Sequence, residues 1–354
     1  REATPETFRD CELFFCRSVT PVDEGMLGDS PVRFVGTATI GTDHVDIGWL
    51  AERGIAFASA PGSNAYSVAE YVVAALLVLA RRGGYALEGR SIGVVGVGNV
   101  GSRVVAKCEA LGMRVLQHDP PLARATGEVR FLPLDELLGC DFLTLHTPLT
   151  REGEDATFHL ADEALLRKLR LEAVVINTSR GAVVDNQALK MMLAEEWLAG
   201  AVLDVWEPEP ELDEELLELV SLGTPHIAGY SFDGKVAATA MIYTAACEAL
   251  GVEPTWSPQQ VMPPPEVEAI EFDCNGVEDE EIIGEAVAAV YDIVADDFAL
   301  RDITEADDPA DYFDHLRKVY PARREFQNTT VVLHGASPEL RAKLTGIGFR
   351  VVET

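Results

Sequence analysis

Three stretches near the middle of the chain carry side chains suited to proton and hydride chemistry: NTSRGAVVDN with Arg180, LDVWEPEPEL with Glu207 and Glu209, and PHIAGYS with His226. Imidazole titrates near neutrality, so a histidine can take a proton from a reacting hydroxyl. A guanidinium presents paired donors that fit a carboxylate and can polarise an adjacent oxygen. A carboxylate beside the imidazole orients it and favours its protonated form. Such a set suits hydride transfer from a 2-hydroxy acid, with Arg180 on the substrate carboxylate and C2 oxygen and His226 taking the C2 hydroxyl proton. Placement alone leaves Glu207 and Glu209 in competition for the acid. Taken one at a time, each of these residues reads more readily as an ordinary loop or surface residue.

The hydride needs an acceptor, and GVVGVGNVG supplies a site for one. Gly96-x-Gly98-x-x-Gly101 follows an apolar strand and opens a helix. Gly96 permits the tight turn, Gly98 lets the backbone approach a pyrophosphate, and Gly101 lets helix and sheet pack closely. Unpaired N–H groups at the helix start favour the anion. Val100 belongs to the same loop. Asp119 ends the next strand, where a carboxylate accepts ribose hydroxyls and repels a 2′-phosphate, so NAD is expected over NADP.

These residues need a frame that gathers strand ends. SIGVVG, MRVLQHD, DFLTLHT, AVVINTS and AVLDVW read as strands, separated by the helical patterns NVGSRVVAKCEAL, ADEALLRKL and DNQALKMMLAEEWL. Alternation of this kind predicts right-handed crossovers and a doubly wound parallel sheet, with ligands outside the carboxyl ends of the strands. Two strand-then-loop units (FRDCELFFCRSVT and VRFVGTATIG) precede it. The long helices NAYSVAEYVVAALLVLARR and FDGKVAATAMIYTAACEALG flank it. MPPPEVEAIEF reads as a linker, followed by a helical stretch, EEIIGEAVAAVYDIVADDF, and a strand–helix–strand unit. The expected division is 1–87 with 228–255, 88–227, and 256–354.

Composition narrows the function. The net charge of −31, with 59 acidic residues, argues against nucleic acid, which needs basic patches. No apolar run approaches the roughly 20 residues of a membrane span. The six cysteines form no zinc-like spacing, so no metal is expected, and free thiols suit a reducing cytoplasm. The chain opens without an initiating methionine.

Together, GVGNVG, NTSRGAVVD, DVWEPEP and PHIAG resemble the D-isomer-specific 2-hydroxyacid dehydrogenase family. RSVT, FVGTATIGTDHVD, HDPP and the tail resemble a branch that acts on a phosphorylated 2-hydroxy acid. The resemblance implies an α/β protein: a doubly wound Rossmann-type parallel sheet in an NAD-binding domain, inserted in a smaller α/β substrate domain. A C-terminal α+β dimerisation domain and a homodimer complete it, and a further strand and helix are expected ahead of Arg1. The pattern D-V-[FW]-x-x-E-P selects Glu209 over Glu207 as the partner of His226, with Arg180 as the other catalytic residue. Thr147, Thr178, Ser179, Asp204 and Gly229 would line the cofactor, and Ser18, Thr39 and Tyr230 would touch substrate. Arg17 is a candidate for the phosphate, as are Arg323 and Arg324 if a partner chain's tail reaches the cleft. His44 and His146 read as packing or loop hydrogen-bonding residues, and His118, His159, His315 and His334 have no evident companions. A related acid such as 3-phosphoglycerate, or NAD sensing without turnover, are the competing functions.

Acidic residues spread along the whole chain repel one another at low ionic strength. We expect the melting temperature to rise as salt increases from millimolar to molar concentration; a flat response in thermal melts would show that the charge is not a salt adaptation.

Overall fold

The computed structural model describes residues 4–17 and 20–353. The chain divides into two compact units, Arg1–Ala65 with Ser231–Pro264, and Tyr66–Tyr230 with Pro265–Thr354.

In the first unit β1 (Leu13–Cys16), β2 (Phe34–Thr37) and β3 (Ala56–Ala58) form a parallel sheet in the order β1-β2-β3. Phe8, Phe14, Val22, Leu27, Val35 and Leu50 form its core. The Phe232–Leu250 helix belongs to the same unit. It approaches β2 so closely at Gly36 that a Cβ there would lie 3.1 Å from Ile242. Every residue of β2 is buried, as expected of a strand covered on both faces.

The second unit is built on six parallel strands: β4 (Ser91–Val95), β5 (Arg114–His118), β6 (Phe142–Leu145), β7 (Val174–Asn177), β8 (Gly200–Leu203) and β9 (Leu222–Gly223). Their spatial order is β5-β4-β6-β7-β8-β9. Alternate side chains go to opposite faces. Ile92, Val94, Phe142, Val174, Ile176 and Val202 join the core that holds the Ala65–Gly83 helix. Val95, Leu143, Leu145, Val175, Ala201 and Leu203 join the one that holds the Asn186–Ala194 helix. The chain runs outward from β4 to β5 and then returns to β6 on the other side of β4. This places a topological switch point beside the carboxyl end of β4.

The C-terminal segment forms a third sheet from β10 (Ala269–Asp273), β11 (Thr330–His334) and β12 (Arg350–Glu353). It corrects three sequence expectations. All its strands are parallel, so it is α/β rather than α+β; helices make both connections, and a helical crossover returns the chain in the same direction. The segment read as a linker ends in β10. The single long helical pattern is two helices, Asp279–Val290 and Ile293–Arg301, parted where Asp292 accepts the N–H groups of Val294 and Ala295, both at 3.1 Å.

This segment is seated on the rest of its unit. A Cβ on Gly346 would lie 2.4 Å from that of Ala110. Glu70 Oε1 accepts the Phe326 N–H at 3.0 Å, and Lys107 donates to the Ile347 carbonyl. Among the described residues no helix is long and apolar enough to cross a membrane.

Candidate active site

The glycine loop leaves β4 where the sequence places it. Gly96 has φ +83°, and a Cβ on it would meet the His146 carbonyl oxygen at 2.8 Å. Gly101 lies so close beneath the turn that its Cβ would overlap the Gly96 oxygen at 1.9 Å. A Cβ on Gly98, by contrast, would meet nothing within 4 Å. The backbone there is bare and faces open space at the start of the Asn99–Ala110 helix. Val100 is half-buried and packs into the core below. Asp119 is buried; its Oδ2 accepts the Val97 N–H at 2.8 Å and its Oδ1 accepts the Leu122 N–H at 2.9 Å. The carboxylate thus ties the glycine loop to the end of β5, and each oxygen keeps a second lone pair for a ribose hydroxyl.

Two further residues fit a dinucleotide. Thr147, after β6, has a buried Oγ1 with no hydrogen-bond partner, an expensive state unless a ligand supplies one. Thr178, after β7, bonds His146 Nδ1 at 3.1 Å, while Thr144 bonds its Nε2 at 2.9 Å. Burial pushes His146 down to about 3, so its ring is a neutral strut of the site.

The catalytic candidates follow three consecutive strands. β7, β8 and β9 are neighbours in the sheet, so the loops at their carboxyl ends are neighbours too. Asn177 holds the first loop: its Oδ1 accepts Ser179 N–H and Oγ–H at 3.0 and 2.8 Å, and its Nδ2 donates to the Arg180 carbonyl at 2.9 Å. Gly181 must be glycine, because a Cβ there would lie 1.7 Å from the Trp206 carbonyl oxygen in the second loop. The second loop presents Glu209, whose Oε1 accepts the Trp206 N–H at 2.8 Å. Its Oε2 meets His226 Nδ1 at 2.7 Å.

Burial pushes the Glu209 carboxyl up, but the His226 charge, the hydrogen bond from the ring and the Trp206 N–H outweigh it, leaving the group below its ordinary value. An ionised Glu209 makes Nδ1 the donor. In a neutral ring the lone pair then sits on Nε2, ready to accept a proton.

His226 itself has φ +56°, a left-handed conformation that costs about 1–2 kcal/mol outside glycine. It persists because the loop is over-determined. The His226 N–H donates to the Asp204 carbonyl at 2.7 Å. Asp204 Oδ1 accepts from Thr224 Oγ1 and Ile227 N, each at 2.7 Å, and Oδ2 accepts Ala228 N at 3.0 Å. Tyr71 Oη bonds Thr224 Oγ1 at 2.8 Å, and Trp206 Nε1 donates to the Thr224 carbonyl at 3.0 Å. Asp204 is therefore first an anchor of the histidine loop; burial pushes its carboxyl up against these donors. Gly229 and Tyr230 follow on the same loop.

Other expectations change. Glu207 also has a histidine: His159 Nε2 meets its Oε2 at 2.8 Å, so His159 has a companion that its sequence neighbourhood could not reveal. Arg323 and Arg324 are buried. Arg323 reaches Ser67 and the Ala228 carbonyl, and Arg324 reaches Asn328 Oδ1 at 2.7 Å, so both are engaged inside their own unit. Arg317, unnoticed in the sequence, lies 5.9 Å from the Tyr230 ring centroid, and its charge helps lower Glu209. Thr39 belongs to the first unit, with its hydroxyl on Thr37 Oγ1 at 2.7 Å and the Gly41 carbonyl at 2.8 Å. Ser18 lies outside the described residues. Among the described residues no cluster could hold a metal.

A switch-point glycine loop with Arg, Glu and His on three successive strand ends defines a D-isomer specific 2-hydroxyacid dehydrogenase. Residues 74–228 match that family's NAD binding domain, and residues 261–348 match a domain of unknown function, DUF3410. A solved D-lactate dehydrogenase from Aquifex aeolicus, complexed with NAD and lactic acid, superposes with TM-score 0.58 at 25% identity, over 71% of this chain and 90% of that chain. The erythronate-4-phosphate dehydrogenase of Salinibacter ruber is 49% identical over 341 residues, 94% of this chain and 87% of that protein. That of an Escherichia coli strain is 46% identical over 344 residues, 97% and 89% respectively. The chain belongs to the erythronate-4-phosphate dehydrogenase family.

The lowered Glu209 carboxyl carries a pH signature. A folded value below the unfolded value of 4.5 means that ionised Glu209 stabilises the fold above pH 4.5, and that this contribution fades as pH falls through the folded value. Wild type should melt above Glu209→Gln at neutral pH, with the gap closing as pH drops below 4.5. A gap unchanged in acid would contradict the assignment.

Proposed function

We propose that the protein oxidises the C2 hydroxyl of 4-phospho-D-erythronate to 2-oxo-3-hydroxy-4-phosphobutanoate with NAD, a step of vitamin B6 biosynthesis. The observation that carries this reading is the 2.7 Å Glu209–His226 pair on the strand end next to the Arg180 loop. It is supported by 46–49% identity to named erythronate-4-phosphate dehydrogenases.

In this reading Gly96, Gly98, Val100 and Gly101 cradle the pyrophosphate. Asp119 takes the ribose, Thr147, Thr178, Ser179 and Gly229 line the cofactor, and Asp204 offers its remaining lone pair to the carboxamide. Bound NAD supplies the hydride acceptor. Arg180 holds the substrate carboxylate and draws charge onto the C2 oxygen. His226 Nε2 takes the hydroxyl proton as the C2 hydrogen leaves with its electron pair, and the C2–O bond becomes a carbonyl. Glu209 stays ionised and stabilises the imidazolium that forms. Ser18, Thr39 and Tyr230 contact the substrate. The first unit is the substrate domain into which the NAD-binding domain is inserted. The segment 256–354 pairs two chains into a homodimer, and the free cysteines suit a cytoplasmic location.

NADH formation with 4-phosphoerythronate and with 3-phosphoglycerate tests the proposal. Turnover is expected with the first and not the second. Reversed preference would assign a different acid, and NAD binding without turnover of either would make the protein a sensor. His226→Ala should lower kcat by about 10²–10⁴-fold, measured at saturating substrate. Unchanged turnover would remove His226 from the mechanism.

A further inference from the structure

The histidine loop is clamped from two sides, and one clamp comes from a distant part of the chain. Asp204 takes the N–H groups of Ile227 and Ala228. On the carbonyl side, Ala228 O accepts Ser67 Oγ–H at 2.7 Å and Arg323 Nη2–H at 3.2 Å, and Arg323 also donates to Ser67 Oγ. Ala228 lies two residues beyond His226; Arg323 comes from the C-terminal segment, 95 positions further on.

Arg323 is an unusual residue to find there. It is only 7% exposed, its guanidinium carbon lies 4.0 Å from the Tyr291 ring centroid, and its Nε and Nη1 have no hydrogen-bond partner. Burying an incompletely satisfied charge is costly. Docking of the segment does not call for it, because the Phe326–Phe349 stack at 4.7 Å and the buried Leu340, Leu344 and Ile347 already make an apolar seat. Besides the charge it sets near the buried Glu70 and Asp296, the guanidinium supplies a rigid, permanently charged donor to Ser67 and Ala228. His226, meanwhile, holds a left-handed backbone that relaxes unless its flanks are fixed.

We propose that Arg323 is a positioning residue for the catalytic histidine: through Ser67 and the Ala228 carbonyl, the C-terminal segment holds the His226 ring in line with Glu209. The inference rests on His226 being the acid/base group. It gives the segment that matches a domain of unknown function a part in catalysis within its own chain.

The test uses the full chain. Arg323→Met keeps much of the stem and removes the donors; Arg323→Ala leaves room for free guanidinium ion. Both should lower kcat by about 10–100-fold, the loss expected when a reacting group shifts by about 1 Å. The NAD dissociation constant should stay within about twofold, and millimolar guanidinium should restore part of the kcat of Arg323→Ala. Independently of turnover, the far-downfield Nδ1 proton of His226, identified by its loss in His226→Ala, should shift or broaden in Arg323→Met. Unchanged kcat and an unchanged resonance would overturn the proposal. So would a loss of kcat that only follows a matching loss of NAD-binding sites, with no rescue. If wild type fails to oxidise 4-phosphoerythronate, the functional reading falls, while the resonance still decides whether Arg323 positions the ring.

Discussion

The buried carboxylate of Asp204 is the constraint around which the site is arranged. Its residue sits one position past β8, and its side chain takes three donors from the loop after β9. Its backbone oxygen takes a fourth, the N–H of His226. A carboxyl group buried this deeply resists ionisation, and aimed N–H and O–H groups compensate it. The compensation works in both directions, because the same donors are fixed by the anion. The loop thereby keeps a left-handed histidine that an unrestrained chain would release.

Around that anchor, neighbouring loops lock by shape as much as by polarity. Gly181 lets the arginine loop lie against the Trp206 carbonyl, and the Trp206 indole and backbone N–H reach Thr224 and Glu209 respectively. One residue thus orients both the carboxylate and the approach to the histidine. Such mutual fixing suits a reaction that needs a proton acceptor and a charge-holding donor aligned without reorganisation. The C-terminal segment extends the same frame, carrying a buried arginine to the far side of the histidine loop.

Two of the histidine–glutamate pairs illustrate where sequence reading ends. His226 with Glu209 and His159 with Glu207 are both close pairs, and the two acids are two residues apart. Nothing local in EPEPEL distinguishes them. The family pattern points to Glu209, the acid that meets His226, but it is silent on His159, whose partner is 48 positions away.

By itself the sequence determined the parallel sheet, the order of strands and helices around it, the glycine loop and the strand ends that carry Arg180, Glu209 and His226. These depend on short-range rules: alternating apolar residues, helical spacing, and glycine where only a bare backbone fits. It misjudged the C-terminal strands, because a five-residue strand after a proline-rich stretch has no local mark of the parallel partner it joins. Only the tertiary structure decided the uses of Asp204, Ser67, Arg317 and Arg323. A buried charge is set by partners scattered along the chain, and their meeting is a property of packing that no local spacing records.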